Sequence, residues 1–377
     1  MSGRKHNGSG EDGSPRGNGS RLRSWLIAPV RGLWRVLWRY RCNHGRVFFF
    51  LRVLQLRLRH GRSVIVVHRR AAMGDIICTF PLCLAAKAAH GGAPLLYVTL
   101  PGNAELVRLG KIANAVFAEI RPFQIPARIP GLIAKVYAPT TFDERGQLGV
   151  GRHLVDDLAA SCGLELLAPQ PQLHPGEALL GDVARRFALD SVRRAGRQMV
   201  LINAGQTWPV REWPISRWTE LVVRLQATYD AHFIQVGVHD DSRTDSPKID
   251  LPNVQHLIGA LTAAELVCIV KLCRLVISID SGPVHIAGAV GTPVLGLFGA
   301  IAPEFRLPRG PVAEGVHADV PCLFCHHRDP ILHWLTGCPH GIRCMDELSV
   351  EAVFRAIEQS YGCLLKRRDL ETTQQAS

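Results

Sequence analysis

No stretch of the 377 residues approaches the ~18 consecutive apolar residues of a membrane-spanning helix. The densest run is Val47-Phe48-Phe49-Phe50-Leu51, so an integral membrane protein is not expected. Charge is sparse: 20% of residues are charged against 47% hydrophobic. That is ample material for a buried core and excludes wholesale disorder. Acids are almost missing from the first sixth of the chain. Residues 1–62 hold 14 Lys and Arg against only Glu11 and Asp12, so the net charge of +12 arises there and the remaining chain is neutral. A neutral body without a basic stripe argues against nucleic acid as partner; an anionic partner is expected for the N-terminal segment alone. The chain also lacks an apolar signal-peptide core, and its 11 cysteines read as reduced intracellular thiols. At roughly 150 residues per domain the length suggests two domains with an appendage.

The appendage divides in two. Residues 1–20 are rich in Gly, Ser and Asn and read as a disordered tail. In residues 21–62, Trp25, Leu26, Leu33, Trp34, Leu37 and Trp38 are interleaved with Arg31, Arg35 and Arg39, whose spacing sets three guanidiniums on one helix face. Val47 to Arg59 repeats the mixture. Basic amphipathic helices rich in Trp and Phe lie in a membrane interface, with Arg near anionic headgroups. A charged helix packed on the body and an Arg-rich transit peptide are the other readings.

From Ser63 the chain alternates strands and helices. Val64–Val67 reads as a buried strand, Gly74-Asp75 opens a helical run through Ala89, and Leu95–Thr99 is the next strand. Leu154–Cys162 reads as a helix, and the Pro-rich passage Leu167–Glu177, or the helix after it, separates two units. The second begins at Met199–Ile202 and continues through a helix to Thr228, a strand Phe233–Val238, a helix Thr262–Cys273, and strands Leu275–Ile279 and Pro293–Phe298. This alternation gives an α/β fold of two doubly wound parallel-sheet domains, with ligands bound in a cleft at the carboxyl ends of the strands.

Neither first strand is followed by G-x-G-x-x-G, and no G-x-x-x-x-G-K-[ST] occurs, which lowers the dehydrogenase and P-loop readings. What does occur is Asp280-Ser281-Gly282-Pro283-Val284-His285 after a strand, opening a helix. Such a corner aims backbone N–H groups and the positive helix end at a diphosphate; it reads equally as an Asp/Ser cap with a packed histidine. The loop Asn203–Pro214 offers Gln206, Thr207 and Arg211 as phosphate donors, while Trp208 and Trp213 read as packing anchors. Asp75 holds the corresponding corner of the first domain, where it reads either as a helix cap or as a base facing the cleft.

Taken together, Val66-Val67-His68-Arg69-Arg70-Ala71-Ala72-Met73-Gly74-Asp75-Ile76-Ile77 with Pro81, the Arg211/Trp213-Pro214 loop, and Asp280–His285 continuing to Gly291-Thr292-Pro293 and Leu297-Phe298-Gly299 resemble three motifs of glycosyltransferase family nine. This is the ADP-heptose:lipopolysaccharide heptosyltransferase family. The resemblance runs over about residues 63–360 in order and spacing. It implies a GT-B architecture, two Rossmann-like domains facing a cleft, and an inverting, metal-independent transfer. By the same resemblance Asp75 is the general base, and Arg69 and Gly74 face the acceptor. Gln206, Thr207, Arg211, Asp240, Asp280, Ser281, Gly282 and His285 hold the donor. Arg211 stands where the family usually has Lys, and Ala71-Ala72 where many relatives have Ser.

The expected organisation is therefore a tail (1–20), a basic membrane-interface segment (21–62), an acceptor-binding domain (63–185), a nucleotide-sugar-binding domain (186–350) and a C-terminal helix and tail (351–377). Cys322, Cys325, Cys338 and Cys344, with His326, His327, His333 and His340 between them, have ligand types and spacing suited to a structural zinc or iron site; reduced thiols in a packed loop are the plainer reading. Similar cysteine-rich segments occur in some family members. No cofactor is expected for catalysis. The expectation is a cytoplasmic transferase, peripheral on the inner face of a bacterial inner membrane, moving heptose from ADP-heptose to a lipid-linked, lipopolysaccharide core-type acceptor. Another nucleotide-sugar donor, a protein acceptor, and a catalytically silent nucleotide-binding regulator are the alternatives.

Overall fold

The computed structural model describes residues 45–149, 151–205, 208–238, 249–310, 312–328 and 337–368. The tail and residues 21–44 of the basic segment lie outside them. Contacts divide the chain into residues 1–51 and 52–377. Helix α1 covers residues 45–60. In the first unit Phe49 is buried while Val47, Phe48 and Leu51 are exposed; in the second Val53 and Leu56 are buried while Leu54 and Leu58 are exposed. Among the described residues no helix is long and apolar enough to cross a membrane.

The second unit contains two all-parallel sheets. Strands β1 (Val64–His68), β2 (Leu95–Thr99), β3 (Ala115–Ala118) and β4 (Ile133–Tyr137) form the first, in the order β3-β2-β1-β4. Strands β5 (Gln198–Asn203), β6 (Ala231–Gln235), β7 (Gln255–His256), β8 (Leu275–Ile279), β9 (Val294–Leu297) and β10 (Ala313–Val316) form the second, in the order β10-β9-β8-β5-β6-β7. Central strands β1, β2, β5 and β8 are short apolar runs buried on both faces, as parallel sheets covered by helices require.

The helical run expected from Asp75 to Ala89 is two helices, α2 (Met73–Cys78) and α3 (Phe80–Ala89). Pro81 lies in the first turn of α3, where its missing N–H costs nothing; further back in one continuous helix it would break a backbone bond. Thr79 occupies the joint, its hydroxyl donating to the Ile76 carbonyl at 2.7 Å. The chain continues through α4 (Ala104–Gly110), α5 (Leu154–Ser161), α6 (Glu177–Arg186) and α7 (Leu189–Arg194). In the second half come α8 (Ile215–Thr228), α9 (Ala263–Leu272), α10 (Gly282–Val290) and α11 (Pro303–Arg306). A Thr262/Glu265 capping box starts α9, as the T-x-x-E spelling indicates. The residue pair 185/186, where the sequence placed its domain boundary, is the end of α6, and α6 packs on α9.

The two sheets share one apolar core, reaching from Ile65 and Leu95 to Val276 and Val294. They meet where α2 packs on α10 and α4 on α9. Ile76 and Ile77 are at most 1% exposed, and burying each stabilises the fold by roughly 1.5–3 kcal/mol. Gly74 makes the α2–α10 contact feasible: a Cβ there would sit 2.9 Å from His285 Nε2 and closer still to Cδ2. Gly291, with φ of 76°, then ends α10 in the left-handed conformation.

Gly74→Ala should lower stability by about 1–3 kcal/mol through overpacking, read as a fall in the denaturant midpoint; an unchanged midpoint would contradict the contact. Burial, with Arg306 nearby, depresses the His285 pKa from 6.5 to about 4; burial and His326 do the same to His327, also to about 4. Between these values the unfolded chain binds protons that the folded chain refuses. The stabilisation is therefore complete above pH 6.5 and lost as pH falls through 4. His285 alone contributes a slope of about 1.4 kcal/mol per pH unit within that window. Unfolding free energies measured from pH 7 to 4 should decline accordingly, and a flat profile would contradict the neutral, buried state of these rings.

Candidate active site

The corners that follow β1 and β8 face one cavity of about 470 Å³. Its wall includes Gly74 and Asp75 from the first corner and Asp280, Ser281, Gly282 and His285 from the second, together with Arg211. Five side-chain-bearing positions assigned to the site from sequence thus converge here with the two glycines. Arg69 is buried beside them: it donates to the Pro139 carbonyl at 3.0 Å and to Glu144 at 2.6 Å, and its Nη2 lies 3.9 Å from Asp75 Oδ2. Gln206, Thr207 and Asp240 lie outside the described residues.

Asp75 is not a helix cap. The cap position of α2 is Ala72, which makes no side-chain cap bond. The Asp75 carboxylate instead accepts a hydrogen bond from Arg306 Nη1 at 3.0 Å, and only 19% of its side chain is exposed. Ser281 is likewise not a side-chain cap of α10; its Oγ accepts from Asn203 Nδ2 at 2.6 Å. The start of α10 therefore keeps its positive end for the cavity, and Pro283 in its first turn removes a donor that would have no helical partner. Gly282 lies close to Met73, whose Sδ would be 3.1 Å from a Cβ at that position.

Asp280 is 2% exposed, and neither of its carboxylate oxygens has a hydrogen-bond partner among the described residues. Arg211 lies alongside, with Nε 3.4 Å from Oδ2 and Nη1 donating to the Asp280 carbonyl at 3.1 Å. Burial opposes ionisation of Asp280, yet Arg211 first and then Arg306 hold its carboxyl below the ordinary carboxylate value. Desolvation in turn lowers the Arg211 pKa, against the pull of Asp280. His285 stays neutral for the reason given above, and its Nδ1 is 3.4 Å from the buried Cys78 sulfur. A neutral imidazole keeps one N–H for a ligand oxygen while adding no charge.

Several wall residues carried no site signal in the sequence. Arg306 ends a four-residue helix, and its partner Asp75 is 231 positions away. Asp143 and Glu144 come from the loop after β4. Burial opposes ionisation of Asp143, but hydrogen bonds from His326 and Thr141 hold its carboxyl well below the ordinary value. His326, counted with the cysteines from sequence, stands on the cavity wall with Nε2 3.6 Å from Asp143 Oδ2. His327 Nε2 accepts from the Ala302 N–H at 2.8 Å. The two tryptophans part company: Trp213 is a packing anchor, edge-to-face with Trp218 and donating to the Leu348 carbonyl, whereas Trp208 is 43% exposed and lines the cavity.

The four C-terminal cysteines share one neighbourhood. Burial raises the Cys344 thiol to about 12, with Cys325, Cys322 and Cys338 adding to the rise. They are free thiols, and no group of three His, Cys, Asp or Glu among the described residues could hold a metal ion. The arrangement does not present a formed metal site there; His333 is outside the described residues.

A family model described as glycosyltransferase family 9 (heptosyltransferase) matches residues 146–334, half of the chain. That stretch includes Arg211, Asp280–His285 and Arg306 but not Asp75. Lipopolysaccharide heptosyltransferase 1 of Pseudomonas aeruginosa is 26% identical over 131 residues, 34% of this chain and 37% of that protein; the chain thus matches well under two thirds of this relative's length. Among solved structures, ADP-heptose lps heptosyltransferase II of E. coli superposes with a TM-score of 0.56 at 16% identity, covering 79% of this chain and 98% of the other. The iron-containing dodecameric glycosyltransferase TibC of enterotoxigenic E. coli gives 0.61 at 14% identity, covering 80% and 77%. At such identities the structural likeness speaks for the fold, which is GT-B: two parallel-sheet α/β domains facing a cleft. Together with the family match across the arginine loop and the Asp280–His285 corner, it establishes that the chain belongs to glycosyltransferase family 9.

Proposed function

We propose that the protein is an inverting glycosyltransferase that moves heptose from ADP-heptose to a lipopolysaccharide core-type acceptor. One observation carries the reading: a carboxylate from the first lobe and a diphosphate-type cradle from the second face the same cavity. The acceptor hydroxyl enters from the Gly74 and Arg69 side, and Asp75 takes its proton. The hydroxyl oxygen forms a bond to the anomeric carbon as the bond from that carbon to the diphosphate oxygen breaks. The electron pair leaves with ADP, and a single displacement inverts the anomeric configuration.

Charge developing on the leaving diphosphate meets Arg211, the N-terminal end of α10 and the N–H of neutral His285, all fixed before reaction. Because these groups supply positive charge where it is needed, the step is proposed to be metal-independent. Gln206, Thr207 and Asp240 complete the donor site in this reading, with Asp280 on the sugar or its neighbouring phosphate. The chemistry routes nothing through the cysteine cluster.

At ~100 times its dissociation constant a ligand stabilises the folded state by about 2.7 kcal/mol. ADP should therefore raise the melting temperature selectively over UDP, GDP and CMP. A stronger response to UDP or GDP would replace the donor, and no response to any would remove the transferase reading. Asp75→Asn should lose about 10²–10⁴-fold in turnover while still binding ADP; unchanged turnover would remove Asp75 from its role.

We also propose a cytoplasmic, peripheral location, with residues 21–62 as a tether to anionic lipid at the inner face of a bacterial inner membrane. Support comes from the concentration of positive charge there and from the exposed Leu54 and Leu58 of α1. Val53 and Leu56 are buried, so a test that spares the fold deletes residues 1–44 only. That variant should lose most of its sedimentation with vesicles containing phosphatidylserine while melting normally. Undiminished binding would contradict the tether.

A further inference from the structure

Both arginines that the second lobe contributes to the cavity are already engaged by carboxylates, but in different ways. Arg211 pairs with Asp280 of its own lobe. Arg306, from the end of α11, reaches across the cleft and hydrogen-bonds Asp75, the residue read above as the base. Only 13% of its side chain is exposed. Its Nε is buried without a hydrogen-bond partner among the described residues, so its donors are not used up by the aspartate. The same guanidinium lines the cavity together with Ser281 and Gly282, where α10 starts.

A base held in this ion pair is poorly placed to meet an acceptor hydroxyl, because Arg306 occupies one of its oxygens. An entering diphosphate changes the balance. It brings more negative charge than one carboxylate and offers oxygens that match the planar fork of a guanidinium. We infer that Arg306 is a second cation for the leaving diphosphate, stored on Asp75 until the donor enters and then transferred to it, so that donor binding itself frees the base. No covalent bond changes in this exchange: one ion pair breaks and another forms. The inference rests on the donor reading proposed above and adds a residue and an order of events to it, with the donor before deprotonation of the acceptor.

The exchange has an unusual consequence. Asp75 competes with the diphosphate for Arg306, so Asp75→Asn should bind ADP more tightly than the native protein, by about tenfold. Removing a negative charge would also favour an anion by simple long-range attraction, so the decisive comparison is a double-mutant cycle measured by titration calorimetry with ADP. Arg306→Gln alone should weaken ADP about tenfold or more and adenosine hardly at all. In the Arg306→Gln background the gain from Asp75→Asn should shrink to the long-range part, well short of tenfold. If the gain persists there undiminished, or if Arg306→Gln binds ADP as the native protein does, Arg306 does not exchange partners and the inference is overturned.

Arg306→Lys guards against misfolding. It keeps the charge but not the fork, and should retain a smaller gain with Asp75→Asn; a gain as large as the native one would mean that charge alone acts and would overturn the exchange. Absence of ADP binding by the native protein would instead overturn the donor reading, and this inference with it.

Discussion

The start of α2 lies against the start of α10, and the space between them admits a glycine on one side and a histidine ring on the other. Gly74 and His285 define that approach. Because the two helices follow the central strands of different sheets, their contact brings the carboxyl edges of both sheets to one cavity. Asp75 is one residue beyond Gly74, and Asp280 to Gly282 immediately precede the turn bearing His285. A methyl group at position 74 would overlap the His285 ring, so that the ring or the helix starts would have to shift. Residues so placed do not need long loops to reach each other, which suits the two-substrate transfer proposed above.

The polar side chains of the cavity include three facing pairs: Asp75 with Arg306, Asp280 with Arg211, and Asp143 with the His326 ring. Pairing is what lets so many ionisable groups share one confined cavity. An anionic ligand would divide such a set into cations that turn toward it and carboxylates that are released. The neutral histidine belongs to the same economy, because it can donate a hydrogen bond without adding another charge to be balanced. The buried Cys78 thiol beside its Nδ1 fits a ring held for orientation rather than for titration at neutral pH.

Much of this is legible in the sequence. Leu95–Thr99 and Leu275–Ile279 coincide with β2 and β8 because short apolar runs between turn signals leave little freedom in a covered parallel sheet. The helix expected over Thr262–Cys273 is α9, Ala263–Leu272. The Asp280–His285 corner and Asp75 both follow a strand, a position that by itself left each open between a helix cap and a site residue. Other elements gave weaker signals. Edge strand β4 carries Lys135 on its open side, and β10 contains Glu314 and Gly315, so neither shows the dense apolar run of a central strand. The break at Thr79 depended on where Pro81 fell within a helical turn. Arg306, Asp143 and Glu144 were invisible as site residues because their partners are set by tertiary approach, and no local spacing encodes a contact across 231 positions.

In the donor site proposed above, the second lobe binds the diphosphate of a nucleotide directly opposite the Asp75 carboxylate. A crystal structure of the protein with ADP should show diphosphate oxygens within hydrogen-bond distance of Arg211 and of the first turn of α10, in the cavity bounded by Asp75. ADP bound at the carboxyl edge of the first sheet, or with its diphosphate turned away from α10, would contradict this placement.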